Sequence, residues 1–191
     1  MVSRKDKKKR SITTAYGDRG MTSLCRGKRV HKDHPRIELC GVLDELNCQL
    51  GLCRTCVKKK VHRSFIKRVQ QDIVVLSTEV ATETSYAHRL KKRINGQSVR
   101  FLDDMVSRLE GPSGLSICGF CLPGETRTSA FFDIARTTAR KAERRAVSLK
   151  RKKMLVNDCI VGYLNRLSDI LFLLARLYAG KRSGKTPGAH G

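Results

Sequence analysis

Residues 160–179 read IVGYLNRLSDILFLLARLYA, and this stretch carries the strongest secondary-structure signal of the chain. Its apolar residues recur at steps of three and four, which is the period of an amphipathic helix. The apolar stripe consists of Ile160, Leu164, Leu167, Leu171, Leu174 and Tyr178. Asn165, Arg166, Asp169 and Arg176 interrupt the segment, which makes it too polar to cross a membrane. We therefore predict a helix that buries one face in the core of a soluble protein.

The same spacing predicts three further helices, over residues 39–57, 66–80 and 99–109. Another segment, 126–150, is alanine-rich and free of proline, which favours a long helix. The sequence GPSG at 111–114 marks a break before that helix. Apart from a short extended piece at 116–122, no segment shows the alternation of a strand. The sequence therefore predicts an all-α fold, a five-helix bundle of the up-down, ferritin-like type.

The chain of 191 residues suggests a single domain. We place it at 11–180, between a basic tail at 1–10 and a polar tail at 181–191, and we predict that both tails are disordered. Forty Lys and Arg against 17 Asp and Glu give a net charge of +23, which favours anionic partners. No apolar segment follows the charged start, so no signal peptide is predicted. We expect a cytoplasmic protein with reduced cysteines.

A row of charged residues lies on the predicted fourth helix, where Arg136, Arg140 and Glu143 share a face and Arg144 lies beside them. Such a row is typical of a solvated basic surface. Polar residues near the apolar stripes of other helices favour a second interpretation, because burying them unpaired costs roughly several kcal/mol. They are Asp44, Glu45, Asn47, Asn165 and Asp169. An ion pair of Asp44 with Arg136 or Arg140 would fix the arginine rotamers for bidentate binding of a triphosphate.

The segment TTAYGDRGMTSL, residues 13–24, is a candidate partner of that row. Gly17 and Gly20 let backbone N–H groups approach phosphate oxygens closely, and neighbouring hydroxyls add further donors. These hydroxyls belong to Thr14, Thr22 and Ser23. The spacing is not that of a Walker A motif. Two interpretations stay open for this segment, a phosphate-binding loop and a plain surface turn.

Taken together, these segments resemble the PduO-type ATP:cob(I)alamin adenosyltransferases. The resemblance extends from about Thr13 to Leu177 and rests on motifs that occur in the family's order. They are TTAYGDRGMTSL, GKRVHKDHPRIEL, GVLDELN, FCLPGETRTSA, ARTTARKAERRAV and YLNRLSDILFLLAR. The resemblance implies a homotrimer of five-helix bundles with active sites between subunits. It also implies transfer of the 5′-deoxyadenosyl group of ATP to the cobalt of cob(I)alamin, assisted by Mg²⁺, with adenosylcobalamin and triphosphate as products.

The residue types suit this chemistry. Co(I) is itself a strong nucleophile, so the protein need not supply one. The protein must hold the 5′-carbon in line between cobalt and triphosphate, while cationic side chains and Mg²⁺ stabilise the charge on the leaving group. This accounts for a row of arginines without a Ser/His/Asp triad or a carboxylate dyad. We expect a reductase and an adenosylcobalamin-dependent enzyme as functional partners, and neither a membrane nor nucleic acid.

The resemblance assigns roles to individual residues. Phe120 matches an aromatic residue that crowds the lower face of cobalamin, and its displacement of the lower axial ligand would ease reduction of Co(II). Asp44 and Arg136 match an ion pair across the active site, and Arg140 joins these three as a catalytic residue. Asp169 is expected to orient neighbouring polar groups, and no residue is assigned as a metal ligand. The implied ATP-binding residues are Thr14, Gly17, Thr22, Ser23, Lys32, Arg140, Lys141, Glu143, Arg144 and Asn165.

Two positions depart from the family pattern. Ala15 stands where the family usually has a basic residue, so one side-chain contact to phosphate is missing. Lys141 stands where arginine is common, and it keeps the charge but loses the bidentate fork. Both departures bear on the affinity for ATP rather than on the fold, and the basic surface would compensate in part.

The eight cysteines include two C-x-x-C pairs, at 53–56 and 118–121. On spacing alone these pairs are compatible with a four-cysteine zinc site, which the family does not require. Plain packing is the alternative, and a redox role for the pair at 118–121 is a third interpretation. We predict that Cys40 and Cys48 are small core residues and that His31 and His34 lie at the surface.

Two alternatives to the adenosyltransferase are retained. The first is a catalytically weakened homologue that binds ATP or carries cobalamin without turnover, for which Ala15 is the only support. The second is a basic nucleic-acid-binding helical protein, suggested by the net charge of +23 and the runs KDKKKR and KRKK. It predicts strongly salt-dependent binding to DNA or RNA, although no recognised reading motif is present.

Overall fold

The computed structural model describes residues 13, 15–111 and 121–180. Five α-helices form the bundle in this part of the chain, which confirms the predicted all-α architecture. They are α1 Pro35–Cys56, α2 Lys60–Val80, α3 Gly96–Glu110, α4 Arg127–Arg151 and α5 Cys159–Ala179. A 3₁₀ helix, Thr84–Arg89, follows α2, and an antiparallel hairpin of β1 Met21–Ser23 and β2 Arg29–His31 precedes α1. The predicted tails, 1–10 and 181–191, and most of the extended piece predicted at 116–122 lie outside the described residues.

Helix α4 lies between α1 and α5 and packs against both. Its contact face carries four alanines with no exposed surface, Ala135, Ala139, Ala142 and Ala146. Because alanine side chains are short, they let neighbouring helices approach closely. Large apolar residues of α1 and α5 complete this part of the core, among them the fully buried Leu43, Leu46, Tyr163 and Leu167. No helix in the described ranges is long and apolar enough to span a membrane.

Local side-chain bonds set several helix ends. Asn95 caps α3 and Thr126 caps α4, and each forms a reciprocal capping box with the residue three positions on. The Thr126 hydroxyl also donates to the backbone oxygen of Tyr178 at 2.9 Å, which ties the start of α4 to the end of α5. Helix α3 ends at Glu110, where the sequence predicts a break, and of that break only Gly111 is described.

The sequence pattern does not predict the β1–β2 hairpin, because strands of three residues are too short to show alternation. Backbone bonds fasten the hairpin to the end of α2, from Cys25 N–H to Ala81 O and from Glu83 N–H to Arg26 O, both at 2.9 Å. Gly27 has a φ of 134°, and a Cβ there would lie 2.6 Å from the Glu83 Cγ. The hairpin therefore has a fixed place beside the N-terminus of α1.

Arg36, in the first turn of α1, joins three parts of the chain. Its guanidinium donates to the backbone oxygen of Val80 at 2.7 Å, to the hydroxyl of Thr84 at 3.1 Å and to the backbone oxygen of Met154. The residue is only 4% exposed. Since a buried charge is costly unless it is well hydrogen-bonded, these three acceptors make a cationic side chain tolerable in the interior.

Replacement of Arg36 by Met should destabilise the protein by about 2–4 kcal/mol, because it leaves buried backbone oxygens without a donor. Arg145→Met is the matched control. Arg145 pairs with Glu38 at 3.3 Å at the surface, so its loss should cost no more than about 1 kcal/mol. Urea unfolding at one fixed protein concentration measures both. Equal losses for the two variants would contradict the role given to Arg36.

Candidate active site

Two predicted site residues, Arg136 and Arg140, line one cavity of about 290 Å³ on the contact between α4 and α5, together with Asp169, which is expected to orient neighbouring polar groups. Phe172 of α5 and Glu110 of α3 complete part of its wall. Helices α4 and α5 run antiparallel, so successive turns of one meet successive turns of the other in reverse order. The lining of the cavity thus includes two cations, two carboxylates and an aromatic ring.

One helical turn away, two predicted ATP-binding residues touch each other. The side-chain amide of Asn165 donates to Glu143 Oε1 at 3.2 Å. Lys141 reaches in the other direction, and its Nζ lies 3.3 Å from Glu45 Oε2 on α1. Arg136, Arg140 and Arg144, at steps of four, form what we call the arginine row. Arg140 and Arg144 are exposed, and within the described ranges neither forms an ion pair, so both are available to an anion.

A second group, which we call the hairpin cluster, consists of Gly17, Thr22, Ser23 and Lys32. The backbone N–H of Lys32 donates to Gly20 O at 2.9 Å, which closes the loop onto the strand end. The Lys32 amine lies over Gly17, since a Cβ built on that glycine would be 3.0 Å from Nζ. Thr22 and Ser23 lie on β1, and Thr14 lies outside the described residues. The cluster combines one cation and two hydroxyls with a glycine-containing loop backbone.

The hairpin cluster and the arginine row are not joined within one chain. Among the described residues, no hydrogen bond or ion pair connects Lys32, Thr22 or Ser23 to α4 or α5. The cluster is held instead by the end of α2. Within the described residues, the two groups of predicted ATP-binding residues therefore share no direct bond.

The predicted pair between Asp44 and Arg136 is not made within the chain. Arg136 pairs with Asp133 at 3.4 Å, while Asp44 is exposed and has no hydrogen bond or ion pair among the described residues. The contacts of Lys141 with Glu45 and of Arg145 with Glu38 set the register of α4 on α1. In that register Arg136 lies more than one helical turn, about 5.4 Å, beyond Asp44. The pair stays a prediction for an assembly of subunits, as does the role of Phe120, which lies outside the described residues.

Sequence reasoning missed two residues beside the cavity, Asp133 and Arg176. They form an ion pair in which both side chains are almost fully buried. The available signals were weak: Asp133 precedes Arg136 by three residues on α4, and Arg176 interrupts the apolar stripe of α5. Neither position indicates by itself that the two charges meet across helices.

The remaining cysteine and histidine predictions are partly wrong. Cys48 is exposed rather than buried, so it is not a core residue. Burial raises the pKa of the Cys53 thiol to about 12 and that of Cys40 to about 11, so both stay protonated at neutral pH. His34 is the N-cap of α1, and burial together with the charges of Arg36 and Lys28 lowers its pKa. Among the described residues no three His, Cys, Asp or Glu side chains form a metal-holding group, and Cys118 lies outside them.

Comparison with known proteins gives the family. The family model for cobalamin adenosyltransferase matches residues 12–178. The chain belongs to the cobalamin adenosyltransferase family. The corrinoid adenosyltransferase PduO of Salmonella typhimurium is 37% identical over 166 residues, which cover 87% of this chain and 49% of that protein. A corrinoid adenosyltransferase of Citrobacter freundii is 36% identical over 166 residues, which cover 87% of this chain and 93% of that protein.

This chain therefore spans about half the length of the Salmonella family member and nearly all of the Citrobacter one. Among solved structures, a variant PduO-type ATP:corrinoid adenosyltransferase from Lactobacillus reuteri, complexed with cobalamin and ATP, superposes with a TM-score of 0.81. Its sequence is 27% identical, and the match covers 88% of this chain and 91% of that one. The fold described above is thus the fold of a cobalamin adenosyltransferase.

The hairpin cluster generates a prediction about anion binding. Gly17→Ala should displace the Lys32 amine, because the new Cβ would lie 3.0 Å from Nζ and 3.2 Å from Cε, at the flexible end of that side chain. We expect an unchanged melting temperature and an affinity for tripolyphosphate about fivefold weaker, equivalent to about 1 kcal/mol. Isothermal titration calorimetry measures it.

Gly20→Ala is the control for this prediction. Gly20 has a φ of +73° and open space around its Cβ, so alanine there strains the backbone without touching Lys32. A weaker affinity in Gly20→Ala and a normal one in Gly17→Ala would argue against Lys32 as the anion contact.

Proposed function

We propose that this protein transfers the 5′-deoxyadenosyl group of ATP to the cobalt of cob(I)alamin and releases triphosphate. The observation that carries the proposal is the cavity shared by Arg136, Arg140 and Asp169 next to the bonded pair Glu143 and Asn165. Membership of the cobalamin adenosyltransferase family and a structural relative complexed with cobalamin and ATP support it.

In the proposed reaction, the electron pair of Co(I) attacks the 5′-carbon of ATP. A cobalt–carbon bond forms, and the carbon–oxygen bond to the triphosphate breaks with its electrons going to the leaving oxygen. Arg140 and Arg144 are free to neutralise that charge, and Lys32 adds a third cation from the hairpin cluster. No side chain has to act as nucleophile, so the protein's work is to orient the reactants and to stabilise the leaving group.

Mg²⁺ would enter bound to the phosphate oxygens of ATP. This ion keeps several waters and uses few protein carboxylates when phosphates are present. Glu143 is the carboxylate within the proposed ATP site, and one of its oxygens already accepts from Asn165. The described residues therefore fit an ion brought by the nucleotide, with Glu143 as the side chain that would reach it.

We further propose a homotrimer with its active sites between subunits. Two features support this assembly: among the described residues the hairpin cluster shares no direct bond with the arginine row, and Asp44 is exposed without a hydrogen bond or ion pair. A second copy would bring its own hairpin cluster or arginine row to this subunit and would give Asp44 access to Arg136. Ile134 and Val147, which are 49% and 39% exposed on α4, supply apolar surface for such a contact.

The remaining site assignments are extensions of the same proposal. Phe120 would face the lower side of the corrin and favour the four-coordinate state that is reduced to Co(I). The electron must come from a reductase, and we propose that the product passes to an adenosylcobalamin-dependent enzyme in the cytoplasm. A carrier that binds ATP and cobalamin without turnover is the second candidate, because Ala15 offers no basic side chain to phosphate.

The direct test combines the full chain with ATP, Mg²⁺ and chemically reduced cobalamin and follows the corrin absorbance. Adenosylcobalamin should form, and Arg140→Ala should lower kcat/KM by about a hundredfold or more, because a cation at the leaving group is lost. Arg63→Ala, on the exposed side of α2, is the control and should leave the rate unchanged. If no product forms while ATP and cobalamin still bind at equilibrium, the protein is a carrier of ATP and cobalamin rather than an adenosyltransferase enzyme.

Ala15 provides a prediction on substrate affinity. Its φ is 54° and its side chain is exposed, so lysine fits there with the same backbone cost as alanine. Ala15→Lys should lower the KM for ATP by about threefold to tenfold, since it restores a charged contact to phosphate. Ala15→Gly relaxes the backbone without adding charge and serves as control. An unchanged KM in Ala15→Lys would contradict the account of this position.

A further inference from the structure

The carboxylate of Asp133 lies between two arginines. Its Oδ1 is 3.4 Å from Arg136 Nε, and its Oδ2 accepts from Arg176 NH2. The side chains of Asp133 and Arg176 are 6% and 8% exposed, whereas that of Arg136 is 26% exposed. The three residues thus form a chain of charges that runs from the bundle interior to the cavity wall.

This network touches the cavity and the entry to α4. Arg136 and Phe172 both line the cavity, and the guanidinium of Arg176 lies 5.6 Å from the Phe172 ring. Arg176 also donates to the backbone oxygen of Leu122 at 3.4 Å. The buried pair of Asp133 and Arg176 therefore links α4, α5 and the segment that leads into α4.

An ion pair three residues apart on a helix surface does not hold an arginine in place by itself, because such an exposed pair stabilises its geometry only weakly. The pair of Asp133 with Arg136 differs from such a surface pair, since Arg176 holds the Asp133 carboxylate from the buried side. Oδ1 then becomes a fixed acceptor for Arg136, and the Arg136 side chain loses rotamers that would point away from the cavity. The arrangement pre-organises a cation beside the space where the reactants would meet.

We propose that Asp133, held by Arg176, is a positioning residue that orients Arg136 into the cavity between α4 and α5. The proposal rests on the proposed adenosyl transfer and deepens it, because it adds a residue that acts through Arg136 rather than on a substrate. Arg136 is not one of the residues assigned to ATP binding, whereas Arg140, which lines the same cavity, is. Loss of this positioning should therefore lower the efficiency with the corrinoid rather than the affinity for ATP.

The alternative is that the pair of Asp133 and Arg176 only stabilises the fold. Asp72 is a matched control for that role. It is 7% exposed, its Oδ1 pairs with Arg68 at 3.1 Å one turn away, and its Oδ2 accepts from Tyr163 at 3.3 Å. Arg68 does not line the cavity, whereas Arg136 does, so Asp72 has the burial and the kind of partners of Asp133 without a link to the cavity.

The experiment compares Asp133→Asn, Asp133→Glu and Asp72→Asn in the full chain. Melting temperatures should fall in both asparagine variants. Only the Asp133 variants should lower kcat/KM for cob(I)alamin, by about tenfold for Asn and about threefold for Glu, with the KM for ATP within about twofold of wild type. Asp133→Glu keeps the charge for Arg176 but moves the acceptor of Arg136, so it carries the test alone if Asp133→Asn does not fold.

A double-variant cycle isolates the path through Arg136. In an Arg136→Gln background, Asp133→Glu should have no further effect on equilibrium binding of cob(II)alamin, measured from its absorbance, because the residue to be positioned is gone. Additive effects, or wild-type corrinoid parameters in both Asp133 variants, would overturn the proposal. A wild-type protein that forms no adenosylcobalamin would refute the proposed function instead, which keeps the two failures distinct.

Discussion

The close approach of α4 to α1 and α5 governs both the fold and the candidate site. Four alanines without exposed surface, Ala135, Ala139, Ala142 and Ala146, make this approach possible. In an α-helix each next residue is rotated by about 100°. Arg136 and Arg140 directly follow the first two of these alanines, so they emerge at the edge of the helix contact rather than in its centre. The same stripe of small residues thus allows the close packing of the core and places the arginine row along the groove beside α5.

Periodicity made much of this predictable. The leucine steps in 160–179 and 39–57 and the alanine-rich segment at 126–150 locate α5, α1 and α4 because burial of one helical face leaves a repeat of three and four residues. The β1–β2 hairpin could not be predicted in this way, because strands of three residues are too short to show an alternation of apolar and polar residues. The ion pairs that depend on helix register could not be predicted either. The charges on α1 and α4 suggest Asp44 as the partner of Arg136, but the packed structure shows that within the chain this partner is Asp133.

The high net charge of +23 is distributed in a way that serves the proposed site only in part. Several cations are consumed locally, as in the contacts of Lys141 with Glu45 and of Arg145 with Glu38. Arg140 and Arg144 stay exposed without an ion pair in the described ranges, so both can bind a strongly anionic ligand, but they repel each other while none is bound. Repulsion between them would diminish when triphosphate binds, so substrate binding and local stability should be coupled.

Two buried arginines show how the same side chain serves different ends. Arg36 donates to two backbone oxygens and a hydroxyl, all of them neutral acceptors. Such acceptors satisfy the guanidinium but leave no charge for another residue to use. Arg176 is instead matched with the carboxylate of Asp133, and a carboxylate has lone pairs to spare for a second cation. The first arrangement can only fasten elements together, whereas the second fastens α4 to α5 and at the same time presents an anionic oxygen to Arg136 at the cavity wall.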